Sequence, residues 1–148
     1  MIIRYSKPEE YEEICRLRWE ILRKPFDLPE GSEKDNKEDT GIFVVAFDDE
    51  REKIVGTARL IHENRFGEIG SVAVSTVYQK MGIRSSLVSF LHEKARALDL
   101  KTVTLFSKKE DLDFYKKLEY TQEGDFFVKN PTNTEKVRME WVVKQIRF

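Results

Sequence analysis

The groups best placed for chemistry lie between Gly70 and Leu98, in the run GSVAVSTVYQKMGIRSSLVSFLHEKARAL. Val72, Ala73 and Val74 favour an extended strand, which breaks at Ser75-Thr76. Tyr78-Gln79-Lys80-Met81-Gly82 follows as a polar loop with one glycine, and Ile83, Leu87, Phe90, Leu91, Ala95 and Leu98 then recur at a helical period. A strand, a loop and a helix start aim unpaired N–H groups at one point, with the positive end of the helix dipole behind them. An anion can sit there, and phosphate is the usual one. The same pattern also serves as a plain strand-to-helix turn, so the loop alone leaves both readings open. Lys80 and Arg84 add charge where an anion would arrive, about 1 to 3 kcal/mol in total for such charge-assisted bonds. Cys15 borders an apolar helical stripe and reads as a core residue. His62 has no HxxxH or CxxC companion, so no metal site is expected.

The elements that would carry these groups follow in order. Ile2, Ile3 and Tyr5 make a first strand, and Ser6-Lys7-Pro8-Glu9-Glu10 reads as a helix start with Ser6 as cap. Tyr11, Ile14, Leu17, Ile21 and Leu22 keep helical spacing as far as Lys24-Pro25. The segment PFDLPEGSEKDNKEDT, residues 25–40, holds two prolines, a glycine and many acids, and reads as a loop. It is either a solvated acidic face or a wall over a substrate site that favours a cationic amine. Residues 41–47 and 54–61 are apolar central strands joined by the turn 48–52. His62 to Gly67 turns the chain into the strand ending at Val74, which implies three consecutive antiparallel strands. After the helix from Ile83 to Leu98, Thr102 to Phe106 closes a strand–helix–strand unit and should lie parallel to the strand ending at Val74. Such a pair leaves a crevice beyond the carboxyl ends of its strands. A short helix spaces Leu112, Tyr115 and Leu118, and two final strands are expected over 120–128 and 137–143.

Length and composition bound the rest. A chain of 148 residues suits one domain, expected over 1–148, with 40% hydrophobic and 36% charged residues. The 26 basic and 27 acidic residues nearly cancel, which argues against nucleic acid as the main partner. No apolar run is long enough to span a membrane, and MIIRYSKPEE has no signal-peptide core. The single cysteine points to a reducing, cytoplasmic setting. Edge pairing through the last strands could form a homodimer.

Gln79-Lys80-Met81-Gly82-Ile83-Arg84 resembles the Gln/Arg-x-x-Gly-x-Gly/Ala pyrophosphate loop of the GNAT N-acetyltransferase superfamily. The run IVGTARL, residues 54–60, is similar to that superfamily's third strand, and FYKKLEY, residues 114–120, to its Phe-Tyr-x-Lys-Leu-Gly-Phe/Tyr segment. The resemblance implies an α/β (α+β) GNAT acyl-CoA N-acyltransferase fold: a mixed, mostly antiparallel sheet with a splayed parallel strand pair and flanking helices. It also implies acetyl transfer from acetyl-CoA to a primary amine of a small molecule or peptide by direct attack, without a metal. Val72 and Val74, with Ala73 between them, and Phe106 would line the gap that takes the pantetheine arm. The amides of Lys80, Met81, Gly82, Ile83, Arg84 and Ser85, with Gln79 before them, would hold the pyrophosphate.

By the same resemblance Tyr115 stands near the sulfur as general acid, a role suited to a phenol protonated at neutral pH. Glu68 matches a glutamate that serves some members as base, and alternation places it on the face of Gly70, Val72 and Val74. His62, Glu63 and Glu140 are reserve bases, and the Val74 N–H is a partner for the carbonyl oxygen. Three departures stand out: Arg84 where Gly or Ala is usual, its side chain expected to point outward; Glu119 in place of glycine; and Lys108-Lys109-Glu110 where an asparagine is common. They motivate an alternative, a catalytically degenerate acyl-CoA sensor or partner-binding module.

Overall fold

β-branched and aromatic runs become strands, and the segments of helical period become helices. The computed structural model describes residues 1–144. The strands are β1 (Ile2–Tyr5), β2 (Ile42–Asp48), β3 (Lys53–Glu63), β4 (Phe66–Val74), β5 (Thr102–Lys108), β6 (Thr121–Lys129) and β7 (Thr134–Val142). The helices are α1 (Tyr11–Leu22), α2 (Ile83–Ala97) and α3 (Leu112–Lys117). The last four residues of the domain expected over 1–148 lie outside the described residues.

The strands form one sheet in the order β1-β2-β3-β4-β5-β7-β6. All neighbours run antiparallel except β4 and β5, which are parallel, as a strand–helix–strand crossover requires. The expected start of α1 is corrected at its cap. Ser6 caps nothing; instead the Glu10 carboxylate accepts the Lys7 N–H at 2.7 Å and pairs with Arg4 at 2.8 Å.

Alternation along β2 divides the core. Val44 and Ala46 join Leu60, Ile69, Leu87, Leu91, Val103 and Met139 on the face covered by α2 and α3. Phe43 and Val45 join Ile14, Leu17, Ile54 and Ala73 on the face covered by α1. Gly56 sits where α2 comes closest to the sheet. A Cβ there would meet Ile83 at 3.1 Å and Leu87 at 3.2 Å, so a larger residue would push α2 off β3. Cys15 is buried within α1, as expected.

Candidate functional site

β4 and β5 pair only at their beginnings, from Phe66 opposite Thr102 to Glu68 opposite Thr104. Beyond that point the two strands part, and β5 keeps its ladder with β7 as far as Lys108. A cavity of about 840 Å³ opens along the gap. Backbone groups of β4 line it. Ser75 donates to the Val55 carbonyl at 2.8 Å and Ala73 lies opposite Thr57, so the intervening Val74 directs its N–H and C=O away from β3 and into the gap. Val72 shares that phase. Gln79 Nε2 donates to the Val74 carbonyl at 3.0 Å, which ties the loop to the end of β4.

The register also corrects the expectation for Glu68. Arg59 lies opposite Gly70 and Thr57 opposite Ala73, so β4 carries one extra residue, with Ser71 at φ 52°. This bulge reverses the side-chain phase. Val74 joins the α2 face and Ala73 the α1 face. Glu68 and Gly70 therefore share the α1 face with Ala73, and Val72 and Val74 lie on the other. Glu68 is half-buried and lines the cavity from the α1 side. Tyr115 lines it from α3, on the opposite face.

At the far end of the gap the chain passes Lys80 at φ 64° and Gly82 at φ 81° before entering α2. Gly82 has open space around it, so its left-handed backbone and not crowding favours glycine there. Ser86 returns both its N–H and its hydroxyl to the Gly82 carbonyl at 3.1 Å, leaving the amides of Ile83, Arg84 and Ser85 as the unpaired start of α2. The Ile83 side chain is in the core and Met81 is exposed, so both can serve the loop through their backbone alone.

The Arg84 side chain does not point outward. It pairs with Asp111 at 3.1 Å, and its guanidinium lies 3.7 Å from the Phe114 ring centroid and 5.7 Å from that of Tyr115. It thereby links the loop to α3. Tyr115 is itself buried against Phe114 and Tyr120. Burial pushes its pKa up to about 12, with the Arg84 charge opposing. Phe106 faces the gap from β5, edge to face with Phe127. Glu119 adopts φ 71°, the left-handed turn that a glycine would take without strain.

Residues 27–40 are a fastened wall and not a solvated loop. Arg18, fully buried, pairs with Glu38 at 2.6 Å and donates to the Glu33 carbonyl. Arg59 holds Asp35 at 2.7 Å and Glu38 at 3.1 Å, and Trp19 donates to the Leu28 carbonyl at 2.9 Å. Hydrogen bonding from Arg59 carries the Asp35 pKa well below the carboxylate range despite desolvation. Asp35 and Glu38, two of the six acids in residues 25–40, are thus neutralised by buried arginines. Ser32, Glu33, Lys34 and Asp35 still form one side of the cavity.

The chain is similar to known proteins in sequence and in fold. The model of the Acetyltransferase (GNAT) family matches residues 11–120. The chain belongs to the GNAT family. It is 29% identical over 85 residues to the uncharacterized N-acetyltransferase ycf52 of Pyropia yezoensis, covering 57% of this chain and 49% of that protein. The chain thus spans about half the length of the curated relatives it matches. Among solved structures, it resembles an aminoglycoside 6'-N-acetyltransferase complexed with coenzyme A, with TM-score 0.78, 17% identity and 100% coverage of both chains. It also resembles a GNAT-family acetyltransferase from Staphylococcus aureus MU50, with TM-score 0.78, 18% identity and coverage of 97% and 99%.

Within this GNAT domain the reserve bases stand apart from the main cavity. His62 and Glu63 line a smaller cavity of about 340 Å³, and Glu140 lies 3.8 Å from Arg138 on β7. Among the described residues no group of three His, Cys, Asp or Glu side chains could hold a metal ion, and no helix is long and apolar enough to cross a membrane. Sequence reasoning missed a basic side of the cavity formed by Arg23, Lys108, Lys129 and Lys136. Nothing local marks these residues. They meet because β5 and β7 pair with Lys108 opposite Lys136.

Proposed function

We propose that the chain, as one acyl-transfer domain over 1–148, moves the acetyl group of acetyl-CoA to a primary amine. The observation that carries this reading is the unzipped stretch of β4 and β5 with the Val72 and Val74 backbone turned into it and free amides at the start of α2. These features suit a pantetheine arm and a pyrophosphate respectively. The coenzyme A in the similar aminoglycoside acetyltransferase lends further support. Lys80 is exposed at this end, ready to meet phosphate.

The faces of the sheet then divide the reaction. The amine enters from the α1 side, where Glu68 takes a proton from nitrogen, directly or through water, as nitrogen bonds to the thioester carbon. The Val74 N–H stabilises the oxyanion. Collapse breaks the carbon–sulfur bond, and Tyr115, on the α2–α3 side, gives its proton to the departing thiolate. Tyr115 suits this because burial keeps the phenol protonated at neutral pH. A reducing, cytoplasmic setting and a homodimer through the edge strand β6 complete the reading.

Thiol release with an amine panel tests it, and Glu68→Gln should slow turnover without weakening acetyl-CoA. A second reading, an acyl-CoA sensor without turnover, draws on Arg84, whose charge is already engaged by Asp111. Calorimetry that gives tight acetyl-CoA binding with no thiol release on any amine would select it.

A further inference from the structure

The basic side of the cavity needs an explanation of its own. Lys108 on β5 and Lys136 on β7 are directly opposed neighbours, a placement that brings like charges to about 5 Å at Cβ and is ordinarily destabilising. Alternation puts both on the α1 face, because Val103, Leu105, Val137 and Met139 fill the other. That is the face of Glu68, on the acceptor side of the gap. Lys129 comes from the end of β6, its ammonium 4.4 Å from the Phe106 ring centroid. Arg23 reaches in from beyond α1, its donors committed to the Ser32 and Leu22 carbonyls at 3.1 Å.

Carboxylates act on this group only at longer range, Glu33 and Asp35 on Arg23 and Asp111 on Lys136. Among the described residues, none of Lys108, Lys129, Lys136 and Arg23 forms an ion pair. Of the acids on the cavity wall, Asp35 pairs with Arg59, Asp111 with Arg84, and Glu33 accepts the Gly31 N–H at 2.8 Å, while Glu68, on the same face, forms no ion pair with the lysines among the described residues. Burial and the charges of Lys108, Lys129 and Arg23 lower the Lys136 pKa, Asp111 opposing. Lys136 is half-buried. Several cations held together under partial burial without a counter-charge have the electrostatics of an anion site awaiting its ligand.

We propose that the acceptor is an amine that also carries an anionic group, a carboxylate or a phosphate, which Lys136 and Lys108 receive while Glu68 takes the amine. This deepens the transferase reading and rests on it. It replaces the preference for a purely cationic acceptor suggested by the acids of residues 27–40, because Arg18 and Arg59 already neutralise Asp35 and Glu38.

Matched acceptors test it. 4-Aminobutanoate is compared with butylamine and 1,4-diaminobutane, and O-phosphoethanolamine with ethanolamine, by thiol release and by calorimetry on the protein with and without CoA. The anionic member of each pair should be favoured by about 10- to 100-fold, the range of one charge-assisted hydrogen bond. The pair with the larger ratio identifies the anion as carboxylate or phosphate. In Lys136→Met and Lys108→Gln that ratio should fall toward one, and Lys136→Arg should restore it. Both neutral variants relieve like-charge repulsion and should fold, which thermal denaturation verifies. Equal or weaker binding of the anionic members, a preference for the diamine, failure of every acceptor to bind, or a ratio unchanged in Lys136→Met would overturn the proposal. A calorimetric preference for the anionic members without thiol release would uphold the anion subsite and overturn the transferase reading instead.

Discussion

Replacing Tyr115 by Phe removes one oxygen and leaves the ring. The phenol makes edge-to-face contacts with Phe114 and Tyr120 at centroid distances of 5.0 and 5.8 Å, and Phe keeps both. The hydroxyl interacts with the Arg84 guanidinium, which keeps its pairing with Asp111 in the variant, so the stability change should stay within about 1.5 kcal/mol. Chemistry should respond differently. A general acid contributes about 10²- to 10⁴-fold, or roughly 3 to 5 kcal/mol of barrier. Thiol release under saturating acetyl-CoA should fall by that factor, with acetyl-CoA affinity unchanged and the melting temperature shifted by no more than about 5 °C. The pH dependence supplies a second arm. Burial raises the Tyr115 pKa to about 12, so the acid form persists through neutral and mildly basic pH and is lost only as pH rises through that value. Tyr115 therefore imposes no falling limb on the rate below about pH 11. A Phe variant within threefold of the parent rate would refute the acid role. A falling limb near the ordinary tyrosine pKa that vanishes in the variant would instead keep the acid role and refute the rise by burial.

Three stability predictions follow from buried or strained groups. His92 stacks on Trp141 at 3.8 Å and meets the Tyr120 hydroxyl at 2.7 Å, and burial with Arg96 nearby lowers its pKa from 6.5 to about 4. Above pH 6.5 it is neutral folded or unfolded. As pH falls from 6.5 toward 4 only the unfolded chain gains the proton, so stability should drop by up to about 3 kcal/mol. Urea midpoints at pH 7 and pH 4.5 measure this, and an equal drop in His92→Gln would assign the loss elsewhere. Glu38→Ala strips the main partner from fully buried Arg18 and should cost roughly 3 kcal/mol in urea unfolding at pH 7. Glu119→Gly relaxes a left-handed turn and should stabilise by about 1 kcal/mol, seen as a higher melting temperature.

Element order and the strand–loop–helix junction at Gly82 were legible because they rest on local signals: apolar period, the punctuating glycine and short connections. The face of Glu68 was not. A single extra residue at Ser71 reverses every side chain after it, and alternation in sequence carries no mark of a bulge. Residues 25–40 left a solvated acidic face and a wall over the site both open because Arg18 and Arg59, the arginines that hold Glu33, Asp35 and Glu38, come from a helix and a strand distant in sequence. Arg84 looked like a free cation for the same reason, its partner Asp111 lying beyond the crossover. The lysines of the cavity emerge only from strand register.

The fastened wall has a consequence for how such a protein changes over generations. Its grip on the body comes from side chains of α1 and β3, whereas the proposed donor cleft is assembled from β4, β5 and the start of α2. Mutational drift at Leu28 to Lys34 can thus remould what the cavity admits while the parted strands and the start of α2 stay intact. A library randomised over that stretch, with Arg18, Asp35, Glu38 and Arg59 held fixed, would let new acceptor tastes be bred on an unaltered chassis.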